Sequence, residues 1–96
     1  MGFEGSVDRA RGQCALVFGD LDRAVGLFEA AIALEDGFGA PVLAARTRWW
    51  MAKTLLERRA SGDRERATDL LTDCEQFTES VGMRLLHQQA LDLLAS

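Results

Sequence analysis

Tyrosine is missing from these 96 residues, and proline and histidine occur once each. β-Branched aliphatics are scarce as well, with five Val and one Ile against fourteen Ala and fourteen Leu. That balance disfavours sheet, because strands draw on β-branched and aromatic side chains while Ala and Leu are strong helix formers. Two cysteines sixty positions apart, without a C-x-x-C pair and with only His87 as imidazole, do not supply the donors of a metal centre. No metal is expected. The phosphate loop G-x-x-x-x-G-K-[ST], the G-x-S-x-G nucleophile turn and the H-E-x-x-H helix are all missing. No enzyme activity and no cofactor are therefore expected. No apolar run approaches the roughly 20 residues that span a bilayer, and no secretory leader pattern opens the chain. Cys14 and Cys74 each sit in an apolar helical pattern, so both are expected as buried, reduced thiols, which suits a cytoplasmic protein.

What remains has the composition of an ordinary globular domain, 48% hydrophobic and 27% charged. A chain this short buries only about 60–65% of its unfolded surface, so one domain with a thin core is expected. The formal net charge of −4 disfavours nucleic acid, whose binding needs a basic footprint. Charge is unevenly placed, however. Residues 1–45 carry three bases against seven acids, residues 46–66 seven bases against three acids, and residues 67–96 one base against five acids. The basic middle is either a solvated face laced with ion pairs or a surface for an acidic peptide or neighbouring domain.

Self-similarity organises the chain. Gly19-Asp20-Leu21-Asp22-Arg23-Ala24 matches Gly62-Asp63-Arg64-Glu65-Arg66-Ala67 at an offset of forty-three. The same offset carries Leu27-Phe28 onto Leu70-Leu71, Ala31 onto Cys74, Leu34 onto Phe77, and Phe38-Gly39-Ala40 onto Val81-Gly82-Met83. Gly19 and Gly62 are suited to end a helix in the left-handed conformation, and Asp20 and Asp63 to cap the amides of the next one. Ala24, Leu27, Phe28, Ala31 and Leu34 then form a one-sided apolar stripe, repeated by Ala67, Leu70, Leu71, Cys74 and Phe77. Pro41 fits the first turn of the following helix.

Upstream of each glycine lies another helix. Val7, Ala10, Cys14, Ala15 and Phe18 mark one over residues 6–18, and Val42, Leu43, Trp49, Ala52, Leu55 and Leu56 mark one over 41–59. With about three extra residues in the Arg58–Ser61 connection, Gly12 falls on Ala52 and Ala15 on Leu55, giving each pair a small mid-helix residue for close approach. A fifth helix follows at 83–94. The expected fold is all-α: an α–α superhelix of about two and a half hairpins, with repeat one at 6–38, repeat two at 41–81 and a terminal helix. A four-helix bundle with one added helix is the alternative, but it gives no reason for the same loop chemistry at one offset.

Gly19-Asp-x-x-x-Ala24-x-x-x-Phe28-x-x-Ala31 resembles the second half of a tetratricopeptide repeat, and the stretch from Gly62 to Cys74 is a weaker copy. The likeness covers roughly residues 6–82 with a spacing longer than the usual thirty-four. Gly39-Ala-Pro-Val-Leu-Ala-Ala-Arg-Thr-Arg48, with Gly62–Ala67 and Val81-Gly-Met83, is also similar to the C-terminal repeat arrays of large bacterial signalling ATPases in transcriptional regulators and nucleotide cyclases. The chain departs from the repeat pattern in placing Ala15 where a large aromatic is usual.

This resemblance implies a protein–protein interaction scaffold, a fragment or relative of such a regulator's C-terminal repeats. It also implies that the first helix of each pair lines a concave groove. Aligned so, Arg9, Gln13, Arg46, Trp49, Lys53, Arg84 and His87 are the groove candidates. A basic groove holding an indole favours an acidic segment or a terminal carboxylate. The alternative is an effector-sensing module that takes a small ligand in the concave face. Leu85, Leu86, Leu91, Leu93 and Leu94 exceed what one neighbour covers, so a homodimer through exposed end helices is expected.

Overall fold

The computed structural model describes the backbone of residues 4–37, 39 and 41–95, with side chains from residue 10 onward. The side chain of Val7, and Phe38 and Ala40 altogether, lie outside the described residues. Among the described residues five α-helices make up the fold: α1 (Glu4–Val17), α2 (Leu21–Gly37), α3 (Pro41–Arg58), α4 (Asp63–Val81) and α5 (Arg84–Ala95). No strand occurs among the described residues, so the all-α class is observed. The offset of forty-three reappears in the backbone. Gly19 and Gly62 both adopt φ 80°, and Gly39 and Gly82 adopt 67° and 76°, angles that are strained for a residue with a Cβ. Pro41 opens α3 as expected.

Each helix packs on its neighbours in the chain: α1 on α2, α2 on α3, α3 on α4 and α4 on α5. Lighter contacts join α1 to α3 and α3 to α5, and α1 does not reach α4 or α5. A bundle closes its first helix onto its fourth, so this sequential order differs from a closed bundle. The molecule is a slab of 37 × 33 × 19 Å, its thinnest dimension about two helix diameters of roughly 10 Å.

Burial follows the helical period, with a shift from the stripe expected. In α2 the fully enclosed positions are Ala24, Phe28, Ala31 and Glu35, with Val25 beside them, while Leu27 and Leu34 are half-buried. The counterparts forty-three residues on, Ala67, Leu71, Cys74 and Thr78, are enclosed in α4, and Leu70 and Phe77 are half-buried. The stripe thus ends on a polar residue in both helices. Glu35 accepts a hydrogen bond from Thr47 Oγ1 of α3 at 2.6 Å. Thr78 Oγ1 lies 3.2 Å from His87 Nδ1 of α5. Each polar residue joins its helix to the next one along the chain, a link that apolar periodicity alone does not reveal.

Gly12 explains how α1 and α2 meet. A Cβ built on it would lie 2.7 Å from Cε1 of Phe28, a ring with no solvent exposure. The phenyl face therefore occupies the space that a side chain at position 12 would fill. The expectation of a small mid-helix residue at close approach holds here, and Ala52 in α3 is likewise fully buried.

Two expectations are corrected. Cys14 is exposed, because it sits on the outer side of α1 rather than on the side of Gly12 and Ala15. Only Cys74 is a core thiol. Burial pushes it up to about 11, with Arg48 opposing weakly, and Sγ donates to the Ala45 carbonyl at 3.5 Å. Asp63 does not cap α4 as Asp20 caps α2. Asp20 Oδ1 accepts from the Arg23 amide at 3.4 Å, whereas the Asp63 carboxylate turns away from its own helix. It accepts Arg58 Nε and an Arg58 Nη at 2.8 and 2.7 Å, and the Ala60 amide at 3.0 Å. A forked guanidinium outcompetes a single backbone amide for a carboxylate it can grip with both arms.

Candidate functional site

Seven bases lie between residues 46 and 66, and the fold divides them. Arg48 pairs with Asp36 at 2.8 Å, Arg58 with Asp22 at 3.1 Å as well as with Asp63, and Arg66 with Glu29 at 2.7 Å. These acids, Asp63 apart, belong to α2, so three of the seven bases serve to hold α2 against α3 and α4. The partly exposed pairs to Asp36, Asp22 and Glu29 each contribute about 0–1 kcal/mol, whereas Asp63 is enclosed. Arg46, Lys53, Arg59 and Arg64 form no ion pair among the described residues. The positive charge left over is carried by these four.

Three of them line a continuous open trough. At one end Trp49 and Lys53 of α3 face Gln89, Asp92 and Leu93 of α5 across a hollow of about 240 Å³. Lys53 and Leu93 also line the next stretch, about 410 Å³, with Leu56, Glu57 and Arg59. Leu56 and Arg59 then border a third hollow of about 510 Å³ with Leu55, Ala60 and Arg64. α3 and the turn that follows it form one wall throughout: residues 49, 53 and 56 share one face at helical spacing, and 59–60 continue it past the helix end.

Trp49 is held from two sides. Its ring meets Trp50 edge-on, with centroids 5.0 Å apart and planes at 87°. Lys53 Nζ stands 5.8 Å above its centroid, a cation–π contact one turn along α3 worth about 0.5–1 kcal/mol. The indole N–H is enclosed, and no acceptor among the described residues reaches it. An enclosed donor without a partner costs about 1–3 kcal/mol. Both tryptophans are half-buried.

Of the seven groove candidates, the structure brings Trp49 and Lys53 together. Arg46 lies one turn earlier on α3 and is exposed. Gln13 is half-buried on α1, and Arg84 is exposed at the start of α5. His87 is half-buried against α4 rather than lining the trough: its Nδ1 lies 3.2 Å from both Thr78 Oγ1 and the Glu75 carbonyl. Since Thr78 Oγ1 donates to the Cys74 carbonyl at 2.8 Å, a proton on Nδ1 satisfies all three groups. The side chain of Arg9 lies outside the described residues.

The trough residues outside the seven groove candidates are Gln89, Asp92 and Leu93 on α5, and Leu56, Glu57, Arg59 and Arg64 around the α3–α4 turn. The first group was within reach. Extending the offset of forty-three from Arg46 and Trp49 lands on Gln89 and Asp92, one turn beyond the pair Arg84 and His87. The second group had no such signal, because the turn that gathers it is the insertion that breaks the repeat. No group of three or more potential metal-binding side chains occurs among the described residues, and no helix is long and apolar enough to cross a membrane. Comparison with family models, with curated proteins and with solved structures finds no match to this chain.

Proposed function

We propose that this chain is a non-enzymatic, cytoplasmic interaction module, a tetratricopeptide-like array that holds an acidic, extended segment of a partner protein along the α3–α5 trough. The observation that carries this reading is the meeting of Trp49 and Lys53 with Gln89, Asp92 and Leu93 across one open groove, with Arg59 further along it. From Trp49 to Arg59 the groove follows ten residues of α3, about 15 Å, which matches four or five residues of extended chain. Lys53 and Arg59 supply charge for carboxylates, and Leu56 and Leu93 supply apolar contact. Trp and Arg are the residue types most enriched at binding hot spots. Within the same reading, the chain is a fragment or relative of a bacterial regulator's C-terminal repeats.

Titration with fluorescent acidic and basic decapeptides tests this. Acidic peptides should bind more tightly, and more weakly as salt rises. Trp49→Ala and Lys53→Glu should each lower that affinity by about tenfold or more, the equivalent of about 1.4 kcal/mol. Equal binding of both peptide classes, or an unchanged Trp49→Ala variant, refutes the reading.

Self-association through the end helices belongs to the same proposal. Phe18 at the end of α1 is 86% exposed and Leu85 on α5 is 75% exposed; Val17 next to Phe18, and Leu91 further along α5, are exposed as well. Light scattering expected to show a concentration-dependent dimer, lost in Phe18→Ser or Leu85→Ser, checks it.

A further inference from the structure

We infer that the hollow between the end of α3 and the start of α4 binds a small organic oxyanion carried on an apolar tail. The hollow holds about 510 Å³, within the range of small-ligand sites, and is more enclosed than the trough it adjoins. Leu55, Leu56 and Ala60 give it an apolar lining, and Arg59 and Arg64 line it with guanidinium groups. The acids nearby in sequence, Glu57, Asp63 and Glu65, do not line it, and Asp63 is gripped by Arg58. Two guanidinium groups without an ion pair therefore share a hollow free of carboxylates. Their planar forks match the paired oxygens of a carboxylate or phosphate.

Backbone geometry singles out Arg59 independently. It is the only residue other than glycine with a positive φ among the described residues, at 57°. It closes α3 through its amide to the Leu55 carbonyl at 3.0 Å, the place where helices usually put glycine. Glycine would take this conformation without strain, so the fold keeps an unfavourable backbone where it gains a guanidinium over the hollow. The apolar lining runs from Leu55 past the end of α3 to Ala60, about 7 Å. That length suits a charged head on a short tail rather than an extended chain. This inference does not rest on the trough being used.

Calorimetric titration of the 96-residue chain with hexanoate and hexyl phosphate tests the site, with hexanol and inorganic phosphate as the separate halves. Both amphipathic anions should bind saturably and compete with each other, and each half should bind about tenfold or more weakly. Arg59→Gly and Arg64→Ala should each weaken hexanoate by about tenfold or more. Arg59→Gly should meanwhile raise Tm, since it relieves the backbone, and so separates lost binding from lost folding. Trp49→Ala should leave hexanoate binding unchanged, which separates this site from the trough. Hexanol binding as tightly as hexanoate, or an Arg59→Gly variant with unaltered affinity, overturns the proposal.

Discussion

The two hairpins, α1–α2 and α3–α4, present the same loop sequence and use it differently. Asp20 and Asp63 each follow a glycine at φ 80°, forty-three residues apart. Asp20 is exposed and makes one long contact to the Arg23 amide, while Asp63 is 4% exposed and holds a guanidinium and a backbone amide. The difference lies upstream. Once the three extra residues of hairpin two are allowed for, Phe18 of hairpin one stands where Arg58 stands in hairpin two. Phe18 projects into solvent, whereas Arg58 folds back onto Asp63 and reaches Asp22 of the first hairpin. One substitution outside the motif thus changes what the motif does, because a carboxylate follows the strongest donor within reach.

The largest expected effect breaks this contrast. Arg58→Met should lower Tm by more than any other change considered, by about 10 °C, because it leaves the Asp63 carboxylate enclosed without its cation. Asp20→Ala, its counterpart, should move Tm by no more than a few degrees. The pH dependence sharpens the test. The Arg58 guanidinium holds the Asp63 carboxyl below the usual range, so its stabilisation is present above the unfolded value near 4. It is lost as pH falls through the depressed folded value. The gap in Tm between the protein and Arg58→Met should therefore narrow in acid, which thermal melts from pH 7 down to pH 2 would follow.

Next in size are the polar ends of the two stripes. Thr47→Val removes a donor from the enclosed Glu35 and should cost about 1.5–2 kcal/mol in urea unfolding. Thr78→Val loses a contact to a half-buried imidazole, and should cost about 1 kcal/mol or less. Equal costs would mean that the two junctions are energetically alike. Smaller again is the packing contrast at position 12. Gly12→Ala gains helix propensity but drives a Cβ into the Phe28 ring, for a net loss of about 1 kcal/mol. Gly26→Ala in the same hairpin meets open space and should gain about 0.5–1 kcal/mol. Thiol alkylation of the native protein at pH 8 draws the last distinction. Exposed Cys14 should react, and Cys74, enclosed and pushed up to about 11, should not.

Much of the fold was legible because its signals are local. Helix ends followed from Gly19, Gly62 and Pro41, whose backbone preferences do not depend on distant residues. The site was legible only in part. Trp49 and Lys53 lie one turn apart on one helix, so their pairing follows from helical spacing alone. Their partners on α5 required the relative rotation of two helices, and Arg59 and Arg64 required the path of a turn that departs from the repeat. Arg48, Arg58 and Arg66 read as surface bases until α2 was placed beside them.

The amino-acid order by itself determined five helices, their boundaries to within two residues, and the spacing at which glycines interrupt them, since each of these is decided within a few positions of chain. Tertiary structure alone decided which cations are neutralised and which remain free, that Cys14 faces outward, and that the enclosed stripe ends on Glu35 and Thr78. Those outcomes depend on which helix lies alongside, and a charge or a polar group takes its meaning from the neighbour it meets.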